Sequence, residues 1–235
     1  MESIVIQADG RQLAGSLFRP DTATSTSPSG MLPGLLFVHG FRSDQSGYQE
    51  RARVAARELG AVCLTFDLSG HGPHGSAIDL RSLTPRDHMV DVTAAYDALT
   101  GSPLVDGRRI GICAASYGAY LASLVTRHRP VVQLLLRAPA MYGDDEYDVS
   151  LGIARHIGAE SSASMLTGSL AAFSGAVLVL ESGSDEVIPH GVIDVYLRAC
   201  PQARHVTIPG ASHALTRPEW RERFVQEILA FFREL

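Results

Sequence analysis

The chain has 235 residues, and its 20 basic and 25 acidic side chains give a formal net charge of −5. This length fits one globular domain, and the acidic balance disfavours nucleic acid as a partner, because a phosphate backbone needs clustered positive charge. Apart from histidine, every basic residue is arginine, so neither a Walker-type phosphate loop nor a lysine Schiff base can form.

The N-terminal segment predicts a two-stranded hairpin. Residues 3–8 and 13–18 each have the pattern of a strand, and Asp9-Gly10 between them tolerates the positive φ angles of a tight turn. We expect this antiparallel hairpin at an edge of the sheet. Residues 20–34 are rich in Ser, Thr, Pro and Gly, which indicates a surface connection.

From Leu35 onward, short apolar runs alternate with helical stretches, which is typical of a mostly parallel sheet with helices on both faces. Apolar positions spaced three and four residues apart predict helices around residues 52–59 and 92–99, and a last amphipathic helix begins near Pro218. The predicted strands are residues 35–38, 62–66, 109–113, 131–136, 176–180 and 205–208. The fold class is therefore α/β.

Residues 138–173 interrupt this alternation, because strand–helix loops usually have only about two to six residues. They contain an acidic cluster from Asp144 to Asp148, which is more often a solvated loop than a site that favours cationic substrates, and apolar helical pieces at 151–157 and 165–173. We predict one domain over residues 1–235, with residues 138–173 as a small cap over the carboxyl edge of the sheet.

Ser116 lies at a predicted corner between a strand and a helix. The surrounding residues, Ala114-Ala115-Ser116-Tyr117-Gly118, are close to the Gly-x-Ser-x-Gly motif of a nucleophile elbow, with Ala114 in place of the first glycine. On its own, such a string is more often an ordinary helix N-cap serine. The interpretation therefore depends on the residues that could act with Ser116.

Two later loops supply such residues. Asp185 follows the strand predicted over 176–180, and His213 follows the strand predicted over 205–208. Each alone is more often a turn or surface residue. In this order, and at the ends of parallel strands, Ser116, Asp185 and His213 predict the catalytic triad of a serine hydrolase.

The loop after the strand predicted over 35–38 supplies His39-Gly40-Phe41. An oxyanion hole needs two backbone N–H groups that face the nucleophile, and we assign those of Phe41 and Tyr117. His39 and Gly40 are candidate substrate-binding residues in the same loop.

Three cap residues, Met141, Tyr142 and Tyr147, could line an acyl or aryl pocket or belong equally well to the core of the cap.

These residues together resemble the α/β-hydrolase superfamily. The similarity runs from His39-Gly40-Phe41, through Asp67-Leu68-Ser69-Gly70-His71-Gly72 and the elbow, to His213. Within the superfamily, the Gly-His-Gly stretch and the short cap are similar to small-cap serine esterases, including feruloyl esterases and monoacylglycerol lipases. Relatives often run Gly-His-Gly-x-Ser directly, whereas Pro73-His74-Gly75 precedes Ser76 here. The resemblance implies ester hydrolysis and does not fix the substrate.

Two other chemistries are weaker readings of the same region. Cys113 could act as the nucleophile, as cysteine does in dienelactone hydrolase, but its place inside a strand favours a small buried apolar residue. His71 and His74, with His39 and Asp67, could hold a metal, although the triad already accounts for the site. We predict neither a metal nor a cofactor.

The predicted function is a carboxylesterase-type serine hydrolase that acts on a small-molecule ester of a small to medium acyl or aryl acid. Alternatives within the class are a thioesterase, a lysophospholipase and an aminopeptidase-like hydrolase. A small-molecule receptor or binding module that retains the fold is the alternative from another class. The sequence leaves open whether the chain forms a homodimer.

The cysteines and the N-terminus indicate the compartment. The three cysteines are widely spaced and form no Cys-x-x-Cys pair, which favours reduced thiols. The N-terminus lacks the basic stretch and apolar run of a signal peptide, and no apolar run is long enough to span a bilayer. We therefore expect a cytoplasmic protein without a membrane span.

Overall fold

The computed structural model describes residues 1–20, 30–73, 78–153 and 162–235. Within these residues, eight strands form one sheet in the order β1-β2-β4-β3-β5-β6-β7-β8. The strands are β1 (Glu2–Ala8), β2 (Arg11–Phe18), β3 (Leu32–Val38), β4 (Val62–Phe66), β5 (Val105–Ala115), β6 (Gln133–Arg137), β7 (Ala176–Ser182) and β8 (Arg204–Ile208). The α-helices are α1 (Ser46–Leu59), α2 (Pro85–Thr100), α3 (Tyr117–Val125), α4 (Ser164–Ala172), α5 (His190–Ala199) and α6 (Pro218–Phe231).

The edge of the sheet formed by β1 and β2 is antiparallel, and the remainder is parallel. Asp9 and Gly10 join β1 to β2 with φ angles of 45° and 78°, the left-handed pair that a two-residue hairpin requires. β2 also pairs antiparallel with β4, whereas β3 to β8 all run parallel to β4. The α/β fold class and the N-terminal hairpin are thus confirmed.

Helices cover both faces of the sheet, which explains why its strands are apolar at successive positions. Leu36 and Val38 of β3 point into the core beneath α2, α3 and α5, whereas Leu35 and Phe37 point into the core beneath α1 and α6. All four side chains are at most 1% exposed. Burial on both sides replaces the apolar–polar alternation of a half-exposed sheet.

The ends of two helices follow from local residue chemistry. Thr84 and Asp87 form a reciprocal capping box at the start of α2, with Pro85 at the first helical position. Gly60 ends α1 with a left-handed φ of 64°.

The long segment between β6 and β7 is described only in part, because residues 154–161, like residues 21–29 and 74–77, lie outside the described residues. Its helix α4 packs beside α3 and α5, with Leu166 and Leu170 completely buried. Leu151 is tied to the loop before α2, since its N–H donates to the carbonyl of Leu83 at 2.8 Å. The small cap over residues 138–173 therefore stays a prediction.

None of the helices within the described ranges has the length and apolarity needed to cross a bilayer. The carboxyl ends of β3, β5, β7 and β8 meet at one edge of the sheet, and the loops that follow them bring the candidate site together.

Candidate active site

Ser116 occupies the sharp turn between β5 and α3, with φ 53° and ψ −124°. The turn needs glycine at 118, because a Cβ there would lie 2.3 Å from the carbonyl oxygen of His39 and 2.7 Å from that of Val38. Ala114, which replaces the first glycine of the elbow motif, is fully buried in the core. The additional methyl group is therefore accommodated without opening the turn.

Ser116, His213 and Asp185 form one continuous chain of hydrogen bonds. His213 Nε2 lies 3.1 Å from Ser116 Oγ, and Nδ1 lies 2.8 Å from Asp185 Oδ2 and 3.1 Å from Oδ1. The Asp185 carboxylate also accepts the backbone N–H groups of Val187 at 2.9 Å and Ile188 at 2.8 Å. The structure thus brings together the three residues that the sequence places at separate strand ends.

Asp185 is held in its ionised form. Burial alone would raise the pKa of this carboxyl, but the hydrogen bonds from His213 and from the two backbone N–H groups lower its pKa overall. An ionised carboxylate at Nδ1 holds the proton on that nitrogen and leaves the lone pair of Nε2 directed at Ser116. This is the arrangement in which a histidine can accept the serine proton.

The two proposed oxyanion amides flank Ser116. Tyr117 is the first residue of α3, so its N–H has no acceptor within the helix. The loop that carries Phe41 passes close to Ser116, since a Cβ on Gly40 would lie 3.2 Å from Ser116 Cβ. Within the described residues, neither the Phe41 nor the Tyr117 N–H donates to a backbone acceptor.

The buried side chain of His39 holds this loop in place through hydrogen bonds. Its side chain is 1% exposed, its Nδ1 lies 2.8 Å from the Gly40 carbonyl oxygen, and its Nε2 accepts the Leu68 N–H at 3.0 Å. Burial lowers the pKa of His39 to about 4, so the ring is neutral at physiological pH. Both ring nitrogens are therefore occupied by the protein, although the sequence placed His39 among the substrate-binding residues.

A second buried histidine, His88 of α2, escaped the sequence analysis. Its Nδ1 lies 2.9 Å from the Tyr117 hydroxyl, and its Nε2 lies 2.9 Å from the Ser69 carbonyl oxygen. His71 contacts the same carbonyl through Nδ1 at 3.1 Å and accepts the Arg42 N–H through Nε2 at 3.2 Å. The Ser69 carbonyl is thus linked through His71 to the backbone of Arg42, and through His88 to the side-chain hydroxyl of Tyr117.

The three candidates from the segment 138–173 have different surroundings. Met141 and Tyr142 are 1% and 5% exposed, and the Tyr142 ring packs 5.3 Å from the ring of Tyr117, the residue after the nucleophile. Tyr147 is half-buried, with the Arg86 guanidinium 5.0 Å from its ring centroid. Tyr147 lines a groove of about 640 Å³ between β1 and α2, which Ser116, Asp185 and His213 do not line.

Cys113 is fully buried inside β5, and burial raises the pKa of its thiol well above the ordinary range. The thiolate needed for nucleophilic attack is therefore not available. Among the described residues, no group of three or more His, Cys, Asp or Glu side chains is arranged to hold a metal ion. His74, one of the metal ligands considered from the sequence, lies outside the described residues.

The model of the Alpha/beta hydrolase family matches residues 35–155. The chain belongs to the alpha/beta hydrolase family. The match begins in β3 and includes the loop of residues 39–41, the turn at Ser116 and part of the segment 138–173.

Named relatives share the fold without fixing a substrate. An uncharacterised protein of Mycobacterium tuberculosis is 30% identical over 219 residues, which cover 89% of this chain and 71% of that protein. Est1E of Butyrivibrio proteoclasticus, solved with ferulic acid bound, has a TM-score of 0.71 and 18% identity over 97% of this chain and 98% of its own. A puromycin-hydrolysing peptidase of M. tuberculosis has a TM-score of 0.77 and 18% identity, over 99% of this chain and 39% of its own. At these identities, the solved structures show the fold alone.

Proposed function

We propose that this alpha/beta hydrolase is a serine hydrolase that cleaves carboxylic esters of small to medium acyl or aryl acids. The observation that carries the proposal is the continuous chain of hydrogen bonds from Ser116 through His213 to Asp185. Ferulic acid bound to Est1E, a solved neighbour of the same fold, supports an aryl acid as one candidate product.

The geometry gives each residue a role. Asp185 orients His213, and His213 Nε2 removes the proton from Ser116 Oγ as that oxygen attacks the acyl carbon. The developing negative charge on the carbonyl oxygen is stabilised by the N–H groups of Phe41 and Tyr117. His213 then protonates the leaving alcohol, and a water molecule repeats the cycle on the acyl-enzyme. Side chains, backbone amides and water suffice for every step.

The test is steady-state hydrolysis of p-nitrophenyl esters from acetate to palmitate, and of methyl ferulate, by the wild type and the Ser116→Ala variant. Turnover is expected to fall by a factor on the order of 10⁶ in Ser116→Ala, because the nucleophile is lost. Ser102→Ala is the matched control, since Ser102 lies before β5 at the opposite edge of the sheet. It should retain wild-type activity.

The ester series also tests the small cap over residues 138–173, because a restrictive cap would limit the accepted chain length. Turnover that survives in Ser116→Ala would contradict the proposed nucleophile. A wild type that is stabilised by carboxylic acids or esters but does not hydrolyse them would favour the small-molecule receptor. Turnover of thioesters or amino-terminal peptides in place of esters would shift the assignment to a thioesterase or aminopeptidase-like hydrolase.

A further inference from the structure

Arg137, the last residue of β6, contacts all three segments that carry the triad. Its backbone carbonyl accepts the Ser116 N–H at 2.9 Å, and its Nη1 donates to the His213 carbonyl oxygen at 2.8 Å. The same Nη1 lies 3.3 Å from the hydroxyl of Ser182, whose carbonyl accepts the Asp185 N–H at 3.2 Å. One side chain therefore links the strand behind the nucleophile to the loops of the acid and the base.

The surroundings of this guanidinium are unusual for a buried cation. Arg137 is 8% exposed, and its contacts are uncharged: the His213 carbonyl, the hydroxyls of Ser182 and Tyr48, and the ring of Phe224, whose centroid lies 5.8 Å away. In the part of the chain that the structure describes, no carboxylate forms an ion pair with it. Because burial of a charge without a counter-charge is unfavourable, an ion pair does not explain this arginine.

The backbone of His213 has one hydrogen bond at its N–H and another at its carbonyl oxygen. Its N–H donates to Glu186 Oε2 at 3.1 Å, and its carbonyl accepts from Arg137 at 2.8 Å. Glu186 is exposed, so water competes for its hydrogen bond, whereas the contact with Arg137 is largely shielded. A shielded hydrogen bond from a charged donor is the stronger of the two.

We propose that Arg137 is a positioning residue, which holds the His213 loop so that the imidazole stays within hydrogen-bond reach of both Ser116 and Asp185. It acts through the His213 carbonyl and touches neither the substrate nor the reacting atoms. The proposal rests on the proposed serine hydrolase activity. A displacement of about 1 Å at such a site can reduce the rate about 100-fold.

The first measurement is the rate at which a fluorophosphonate modifies Ser116 in the wild type and in Arg137→Gln, since this reaction needs an activated serine but no ester substrate. The rate is expected to fall about 100-fold, with a similar loss in kcat for p-nitrophenyl acetate and less than about a threefold change in KM. Glu186→Gln, the matched variant at the exposed hydrogen bond of the His213 N–H, should stay within about threefold of the wild type. Arg137→Lys should restore part of the rate, because an ammonium can still donate one charged hydrogen bond.

The second measurement separates positioning from general stability. The His213 Nδ1 proton in the hydrogen bond to Asp185 should give a downfield NMR resonance in the wild type and lose it in Arg137→Gln, while circular dichroism shows a folded chain. If Arg137→Gln does not fold, the same comparison is made with Arg137→Lys, in which a weakened resonance and a reduced modification rate are expected.

Wild-type rates and an unchanged resonance in a folded Arg137→Gln variant would overturn the role of Arg137, as would unchanged values in Arg137→Lys where only that variant folds. This result is distinct from failure of the proposed function. A wild type that reacts with the fluorophosphonate but hydrolyses no ester contradicts the ester assignment, whereas the modification rates still decide the role of Arg137. If the wild type does not react with the fluorophosphonate, the His213 Nδ1 resonance decides the role of Arg137.

Discussion

At the scale of single residues, backbone strain is concentrated around the candidate site. Five non-glycine residues of the described chain have a positive φ, and one of them, Asp9, belongs to the N-terminal turn. The other four, with φ from 40° to 56°, are Arg42, Ser116, Ala138 and Leu215. Each lies in or directly beside a segment that builds the site. Such conformations cost about 1–3 kcal/mol each, so the remainder of the fold must hold them in place.

The strain at Ser116 can be measured by comparing two variants that both lack the nucleophile. We expect Ser116→Gly to be more stable than Ser116→Ala by about 1 kcal/mol, because glycine accepts the positive φ and alanine does not. Urea unfolding of both variants measures the difference. The same pair at Ser102, whose φ is not positive, should show the opposite sign, since glycine is ordinarily less stable than alanine by about 0.5–1 kcal/mol. A Ser116→Gly variant that is less stable than Ser116→Ala would contradict the inference that the backbone at Ser116 is strained.

At the scale of elements, the sequence predicted those strands whose boundaries depend on their own residues. β4 was predicted over residues 62–66 and has these bounds, because all five side chains are buried and four of them are apolar. β5 begins at Val105, four residues before the predicted start at Arg109, because Val105 pairs with Leu32 of β3 across a register shift. The early start of β5 could not be predicted, because pairing with a distant strand leaves no pattern in the local sequence. α5 was not predicted either, since only three of its ten residues are buried.

The same reasoning separates the parts of the site. Ser116, Asp185 and His213 each follow an apolar run, so their positions at strand ends could be predicted from the sequence. Arg137 and His88 could not, because their functional contacts are with His213 and Tyr117, 76 and 29 residues away along the chain. An arginine that ends an apolar run and a histidine within a helix are common, and neither signals a special role.

The close approach of α3 to the backbone of Val38 and His39 yields a prediction for Gly118. In most helices Gly→Ala is stabilising by about 1 kcal/mol, but Gly118→Ala is expected to be destabilising, because the new Cβ would overlap the carbonyls of His39 and Val38. The loss is about 1–3 kcal/mol, with a matching loss of fluorophosphonate reactivity as the elbow moves. Thermal unfolding and labelling rates provide the measurement.

Gly107→Ala is the matched control, since Gly107 lies in β5 and a Cβ there would meet nothing within 4 Å. It should leave reactivity unchanged. A Gly118→Ala variant that is as stable and as reactive as the wild type would show that α3 can move away from the loop without consequence.

At the scale of the whole molecule, the site depends on histidines that the fold keeps uncharged. Burial lowers the pKa of His39 to about 4 and that of His88 to about 3, and it lowers the pKa of His71 as well. In an unfolded chain the same side chains titrate near about 6.5. Below that pH the unfolded state therefore binds more protons than the folded state does. The free energy of unfolding falls for this reason as the pH is lowered towards about 4. Burial raises the pKa of Asp67 and Asp91, which acts in the opposite sense.

A comparison of variants isolates one of these histidines from the carboxyls. His88→Gln removes one group that must stay neutral, so between pH 6 and 5 its free energy of unfolding is expected to fall less steeply than that of the wild type, by up to about 1.4 kcal/mol per pH unit. Urea unfolding at a series of pH values gives both slopes. The exposed His128→Gln variant controls for the loss of a histidine without the loss of burial. Equal slopes in the wild type and His88→Gln would mean that the folded chain protonates His88 as readily as the unfolded chain does. A hydrogen bond from the Tyr117 hydroxyl to a neutral His88 would then not hold the turn at Ser116.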